Sequence, residues 1–139
     1  MFAQLDTKSV YSFMDSVVDL NTYVKRAKEL GYQSIGLMDR DNLYAAYHFA
    51  QLAIRNGLRP LIGTEANLFY EGRKIPFRLL AKNNQGYKNL MKLATELSSG
   101  QREFTYFSDY LNDIALILPS EDWEPGMSLG SEVFIGVRP

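Results

Sequence analysis

The sequence predicts an α/β fold built from parallel strand–helix repeats. Three observations carry the prediction. Short apolar runs alternate with segments of helical periodicity. Some of the runs are apolar without alternation, as in strands covered on both faces. Gly31 and Gly57 follow two of the helical segments, where a helix needs a C-terminal stop.

The elements follow in order. Residues 2–7, FAQLDT, read as a short strand. A loop rich in Ser and Asp comes next, with capping residues at Ser16 and Asp19. Leu20, Val24, Ala27 and Leu30 then fall at helical spacing, with Lys25, Arg26, Lys28 and Glu29 among them. Residues 34–39, SIGLMD, suit a buried parallel strand. Asn42 is expected to start a second helix, with Leu43, Ala46, Tyr47, Ala50 and Ile54 on its apolar face. RPLIGTEANLFY is a third strand, and IPFRLLA a fourth, reached through a turn at Glu71 and Gly72. Asn83 and Asn84 open a third helix with Tyr87, Leu90, Met91, Ala94 and Leu97 on its apolar side. FTYFSDYLND is expected to be partly helical, IALILP a strand, SEDWEPGMSLGSE a loop and VFIGV a last short strand. There is no internal repeat and no low-complexity tract.

Length and composition set the limits. A chain of 139 residues is expected to form one domain, 1–139. Apolar residues make up 46% and charged residues 22%, an ordinary balance for a globular protein. No apolar run approaches the roughly 20 residues that span a bilayer. The first ten residues lack the basic and apolar regions of a secretory signal. The absence of Cys rules out disulfides and thiolate metal sites, and suits a cytoplasmic protein. The net charge of −1 argues against autonomous DNA binding, which draws its affinity from displaced counterions. The aromatic residues are spread through the elements rather than gathered on one strand face, so packing is their expected role.

In a parallel α/β fold, sites form at the carboxyl ends of the strands. That selects Asp6, Thr7 and Lys8, then Asp39, Arg40 and Asp41, then Thr64 and Glu65. No GxxxxGK[ST] or GxGxxG phosphate loop is present. Ser9, Ser12 and Ser16 have no His nearby in sequence, and His48, the single His, is expected to face solvent on the second helix. A Ser–His nucleophile system is therefore not expected.

The same loops carry a family resemblance. QLDTKSVYSFMDS, LMDRDNLYAAYHF, GLRPLIGTEANL, LLAKNNQGYKNLMKL and NDIALILPSE occur in that order. They resemble successive motifs of the PHP (polymerase and histidinol phosphatase) domain, in the form found in bacterial DNA polymerase III alpha subunits. AKNNQGYKNLMKL is the most specific block. The resemblance implies part of a distorted PHP-type (β/α)7 barrel, incomplete at this length. It also implies the N-terminal part of a longer chain, of the kind without an inserted exonuclease, with palm, fingers and thumb absent.

An active PHP site holds several metal ions, mainly through His, and makes a hydroxide nucleophile near neutral pH. By the resemblance, the family's first three His fall here on Gln4, Asp6 and Lys8, and the motif's Asp on Asp15. The second-motif His falls on Arg40, the third-segment Glu on Glu65, and the His before the LLAKN stretch on Pro76. Three ligand-capable carboxylates remain, Asp6, Asp15 and Glu65, while Lys8 and Arg40 bring positive charge into a cation site. These vestigial positions are expected to hold no metal. Lys8 and Arg40 are instead expected to pair with some of Asp6, Asp15, Asp39 and Glu65.

The resemblance thus implies a catalytically degenerate structural and interaction module. Its parent would carry out template-directed DNA synthesis with Mg²⁺. Its expected partners are the remaining polymerase domains and, in the parent, primer-template DNA and other replisome subunits. Two other classes compete with this reading. One is a weak metal-dependent phosphoesterase or proofreading nuclease that uses the residual carboxylates. The other is an independent DNA-binding module. An incomplete sheet also exposes edge strands, through which the fragment could form a homodimer.

Overall fold

The computed structural model describes residues 3–9, 19–130 and 132–137. They form a mixed α/β fold of two compact units, Met1–Thr64 and Glu65–Pro139.

The first unit begins with β1, Ala3–Gln4, paired parallel to β2, Ser34–Arg40. Helix α1, Leu20–Glu29, makes the crossover between them. Asp19 starts that helix by accepting bonds from the Thr22 backbone N–H at 3.1 Å and the Thr22 hydroxyl at 2.8 Å. Every residue of β2 but the last is buried, as its unbroken apolar sequence requires. At Gly36 a Cβ would stand 2.7 Å from the Leu5 carbonyl oxygen. Only glycine lets the chain next to β1 approach so closely.

Helix α2, Ala46–Arg55, corrects two expectations. It starts at Ala46 rather than Asn42. The Asn42 side chain accepts from the Tyr44 N–H at 3.1 Å and donates to the Arg40 carbonyl at 2.8 Å, which makes a turn instead of a cap. Its packed face is Ala46, Phe49 and Ala53, whereas Tyr47 and Ile54 are exposed. Two alanines beside one Phe give a closer-packing face than the aromatic stripe. The ring of Phe49 stacks on Tyr23 of α1, with centroids 6.0 Å apart, inside a core that includes Val24, Ile35, Leu37 and Leu58. His48 is exposed, as expected.

Strand β3, Arg59–Tyr70, crosses the boundary after Thr64. In the second unit it turns back through Glu71 and Gly72, both with positive φ (49° and 79°), into β4, Arg73–Ala81. A two-residue turn of that kind joins antiparallel neighbours. β4 also runs antiparallel to β5, Ile114–Pro119, and β5 runs parallel to β6, Val133–Gly136. The strands of this unit are therefore paired in both senses. Between β4 and β5 lie α3, Asn84–Ser98, the single turn α4, Phe104–Phe107, and a 3₁₀ turn at Ser108–Tyr110. Asn83 caps α3 by accepting from the Gly86 N–H at 2.9 Å. Leu90, Leu93 and Leu97 carry its buried face, and Met91, expected there, is exposed. Phe104 is packed between Phe77 and Tyr70, with centroids 5.0 and 5.5 Å away. No helix among the described residues is long and apolar enough to cross a membrane.

Candidate functional site: a carboxylate clamp at the strand ends

In the first unit the segment that follows β1 runs on toward the carboxyl end of β2. β1 is only two residues long, so the segment after it is placed by other bonds. The Met38 N–H donates to the Thr7 carbonyl at 2.7 Å, which carries the chain alongside β2 beyond the strand. Two residues later that segment is gripped by Asp39. The Ser9 backbone N–H donates to Asp39 Oδ1 and the Ser9 hydroxyl to Asp39 Oδ2, each at 2.6 Å. Asp39 is 1% exposed, and Ser9 is equally buried. The Thr64 hydroxyl donates to the Asp39 carbonyl at 2.8 Å, so the main chain of the same residue ties down the first part of β3.

Charged acceptors make strong hydrogen bonds, and two parallel bonds fix orientation as well as distance. Asp39 thus uses both carboxylate oxygens within the fold. A buried aspartate at the end of an apolar strand must find such partners, because an unpaired buried charge is costly. That requirement is the one sequence signal for the clamp. Ser9, which the sequence offers as a nucleophile without a base, is a hydrogen-bond donor to a carboxylate.

Asp6 and Lys8 lie on the same segment, just before Ser9. Lys8 Nζ stands 2.6 Å from Asp6 Oδ1, with the Lys side chain 13% exposed and the Asp side chain 37%. The structure therefore brings together two of the predicted positions as an ion pair. Gln4 is exposed on β1, and Arg40 is exposed at the end of β2. Asp41, next along, takes a positive φ of 56°. Asp15 lies outside the described residues. Glu65 and Pro76 belong to the second unit, the first buried in β3 and the second half-buried in β4. Among the described residues no group of three His, Asp or Glu side chains converges as a metal site would need.

In the same unit, the Tyr23 hydroxyl donates to the Gly36 carbonyl at 3.0 Å. Burial pushes its phenol above the usual range, against the lowering effect of its hydrogen bonds to Thr7 and Gly36.

The second unit holds another polar cluster that sequence reasoning placed only as a motif. Asn89 donates to the Asn112 carbonyl at 2.8 Å, the Lys82 N–H to the Asp113 carbonyl at 2.9 Å, and Asn83 Nδ2 to Asp113 Oδ1 at 3.2 Å. A Cβ on Gly86 would stand 2.1 Å from the Asp113 carbonyl oxygen. AKNNQGYKNL thus fastens the start of α3 to the turn before β5.

The α/β frame places the candidate residues on the loops after its first strands, and comparison with known proteins gives the class. The chain belongs to the PHP domain family, whose model matches residues 4–124. Among curated relatives, it is 49% identical to DNA polymerase III subunit alpha of Streptococcus pyogenes serotype M1 over 137 residues. It is 33% identical to the Bacillus subtilis (strain 168) protein of the same name over 126 residues. The alignments take in 99% and 86% of this chain, but only 13% and 11% of those relatives. An amidohydrolase from Chromobacterium violaceum, solved with bound sulfate and no metal, shares the fold with a TM-score of 0.56 at 18% identity; the match covers 70% of this chain and 34% of that one. A protein from Bifidobacterium adolescentis assigned to the metal-dependent phosphoesterases matches with a TM-score of 0.51 at 18% identity, covering 68% of this chain and 31% of that one.

Proposed function

We propose that this chain is a PHP-type module of a replicative DNA polymerase III alpha subunit, a single domain in which side-chain charge has taken over the place of metal. Its task is structural: it holds an architecture on which the rest of a polymerase packs. The parent would carry out template-directed DNA synthesis with Mg²⁺ in the cytoplasm, on primer-template DNA and beside other replisome subunits. The module itself carries none of that chemistry.

The observation that carries this reading is the Lys8–Asp6 pair at 2.6 Å. An ammonium group in that place satisfies the carboxylate as a metal ion would and competes with one for the same lone pair. The donor set agrees. By the resemblance, Lys8, Arg40 and Pro76 fall where the family has His, and none of these side chains is a metal ligand of the kind an imidazole is. The residues therefore do not fit a His-rich multi-metal cluster.

The test is metal analysis of the dialysed protein together with phosphate release from a model phosphomonoester. Both are run with Mg²⁺, Mn²⁺ and Zn²⁺. The expected result is no retained metal and no release above background. Metal-dependent release abolished by Asp6→Ala would replace this reading with a weak phosphoesterase that uses the residual carboxylates.

A further inference from the structure

We propose that the outer face of α2 is a docking surface for an acidic peptide segment of a partner protein, one that carries aliphatic or aromatic anchors beside a short run of carboxylates. This role adds to the structural one and does not depend on the residues at the vestigial metal positions.

Helix α2 buries Ala46, Phe49 and Ala53 against the core of its unit. A surface helix ordinarily turns charged and polar residues outward on its opposite face. Here Tyr47 is 73% exposed and Ile54 63%. Seven residues apart, they stand two turns along one stripe. Tyr44, in the turn before the helix, is 71% exposed. Residues 42–64 contain no Asp or Glu. A single exposed hydrophobic residue is ordinary, whereas apolar groups aligned on one face mark an interaction surface.

The C-terminal end of this face is positive. Arg55 lies in the last turn of α2 and Lys28 in the last turn of α1. Arg59 opens β3, and its N–H donates to the Gln33 carbonyl, just before β2, at 2.9 Å. That bond holds the ends of both helices at one end of the unit. All three cations are exposed, and among the described residues none of them pairs with a carboxylate. Glu29, the single carboxylate of α1, is held by Arg26 at 3.2 Å. Leu30, at the same end, is 57% exposed.

A partner has to match both features. Tyr47 and Ile54 offer area to apolar anchors, and Arg55, Arg59 and Lys28 offer opposite charge to carboxylates. Two observations favour a peptide over a nucleic acid. The cations gather at one end instead of tracking a groove, as a sugar–phosphate strand requires. Ile54 and Leu30 are aliphatic and give a base no ring to stack on.

The probe is a fluorescein-labelled synthetic peptide with leucine and phenylalanine one helical turn apart, followed by a run of aspartates. Its binding to the 139-residue chain is read by fluorescence anisotropy. The controls are the same peptide with asparagine for aspartate, and an oligothymidylate of equal charge. We expect the acidic peptide to bind at least about tenfold more tightly than either control, and less tightly as salt rises. Ile54→Asp and Tyr47→Ala should each weaken it about tenfold, the loss of one anchor. Arg55→Glu should weaken it and flatten its salt dependence. Met91→Asp on α3, at an exposed apolar residue of the other unit, should leave it unchanged. Ile54→Ser replaces Ile54→Asp if the latter disturbs the circular dichroism spectrum. No binding of the acidic peptide would overturn the proposal, and so would binding that ignores the α2 variants. Oligothymidylate that binds as tightly would make the face a nucleic-acid surface. Self-association of the chain that Ile54→Asp abolishes would give the face to a second copy. Either result would overturn the peptide assignment too.

Discussion

The two units each concentrate their polar side chains at one place, and they use them differently. In the first, Asp39 grips Ser9 while Lys8 and Asp6 pair on the same segment as Ser9. In the second, Asn83, Gly86, Asn89 and Asp113 meet where α3 begins. The second cluster is tied largely to main-chain partners and has no space for even a methyl group at Gly86. The first joins a fully buried contact, Asp39 with Ser9, to a less buried ion pair, Lys8 with Asp6. A family motif can therefore mark either a place where chemistry happens or a place where a helix is fastened. Burial and hydrogen-bond partners separate the two, and letter frequency does not.

The largest expected effect tests the fastened cluster. Gly86→Ala places a Cβ 2.1 Å from a backbone carbonyl, and backbone cannot rotate away as a side chain can. A loss of about 3 kcal/mol or more is expected, at the upper end for overpacking. Urea denaturation measures it. A loss under about 1 kcal/mol would mean that the start of α3 is pliable, and the contrast between the clusters would disappear.

Asp39→Ala should come next. It removes a charged acceptor from two buried donors and leaves the Ser9 N–H and hydroxyl without it. The expected loss is about 2–4 kcal/mol, from the cost of stranding buried polar groups. Ser9→Ala should cost less, because the Ser9 N–H still reaches Asp39 Oδ1. A larger effect for Ser9→Ala than for Asp39→Ala would show that the grip is not centred on the carboxylate.

Tyr23→Phe has a smaller effect, about 1 kcal/mol, the net value of one hydrogen bond. It also has a pH signature. Burial raises the folded-state pKa of this phenol above its unfolded value. The group's contribution is fully present below the unfolded pKa, about 10, and is lost as pH rises through the folded pKa. Ultraviolet titration should show one phenol fewer among the late-ionising tyrosines in the variant. An unchanged titration would place Tyr23 in water.

Much of this was legible in the sequence. The apolar runs of β2 and β5, the caps at Asp19 and Asn83, and the turn at Glu71 and Gly72 follow from local rules, and each is found. The start of α2 was not legible. Asn42 satisfies the same side-chain chemistry in a turn as in a cap, and only the surrounding chain decides which forms. Nor was the phase of α2, since Tyr47 and Ile54 look more apolar than Ala46 and Ala53 while the small residues pack. At the site, the Lys8–Asp6 pair could be expected from charge on a shared loop. The Ser9–Asp39 grip spans 30 residues and depends on how the chain runs past β2.

The smallest stability effect is the sharpest test of what Lys8 does. Its pair with Asp6 is partly exposed, so Lys8→Ala should cost less than about 1 kcal/mol, and less still in high salt. If ammonium charge stands in for metal charge, the variant should gain what it loses in the pair. Asp6 would then offer its carboxylate to a divalent cation. Mn²⁺ titration by calorimetry should show no binding to the wild type and weak binding, in about the millimolar range, to Lys8→Ala. Asp6→Asn added to that variant should abolish the binding again. A loss of several kcal/mol with no gain in Mn²⁺ affinity would group Lys8 with the buried contact of Asp39 and Ser9. The Lys8–Asp6 pair would then be part of the fastening of the fold rather than a substitute for an ion.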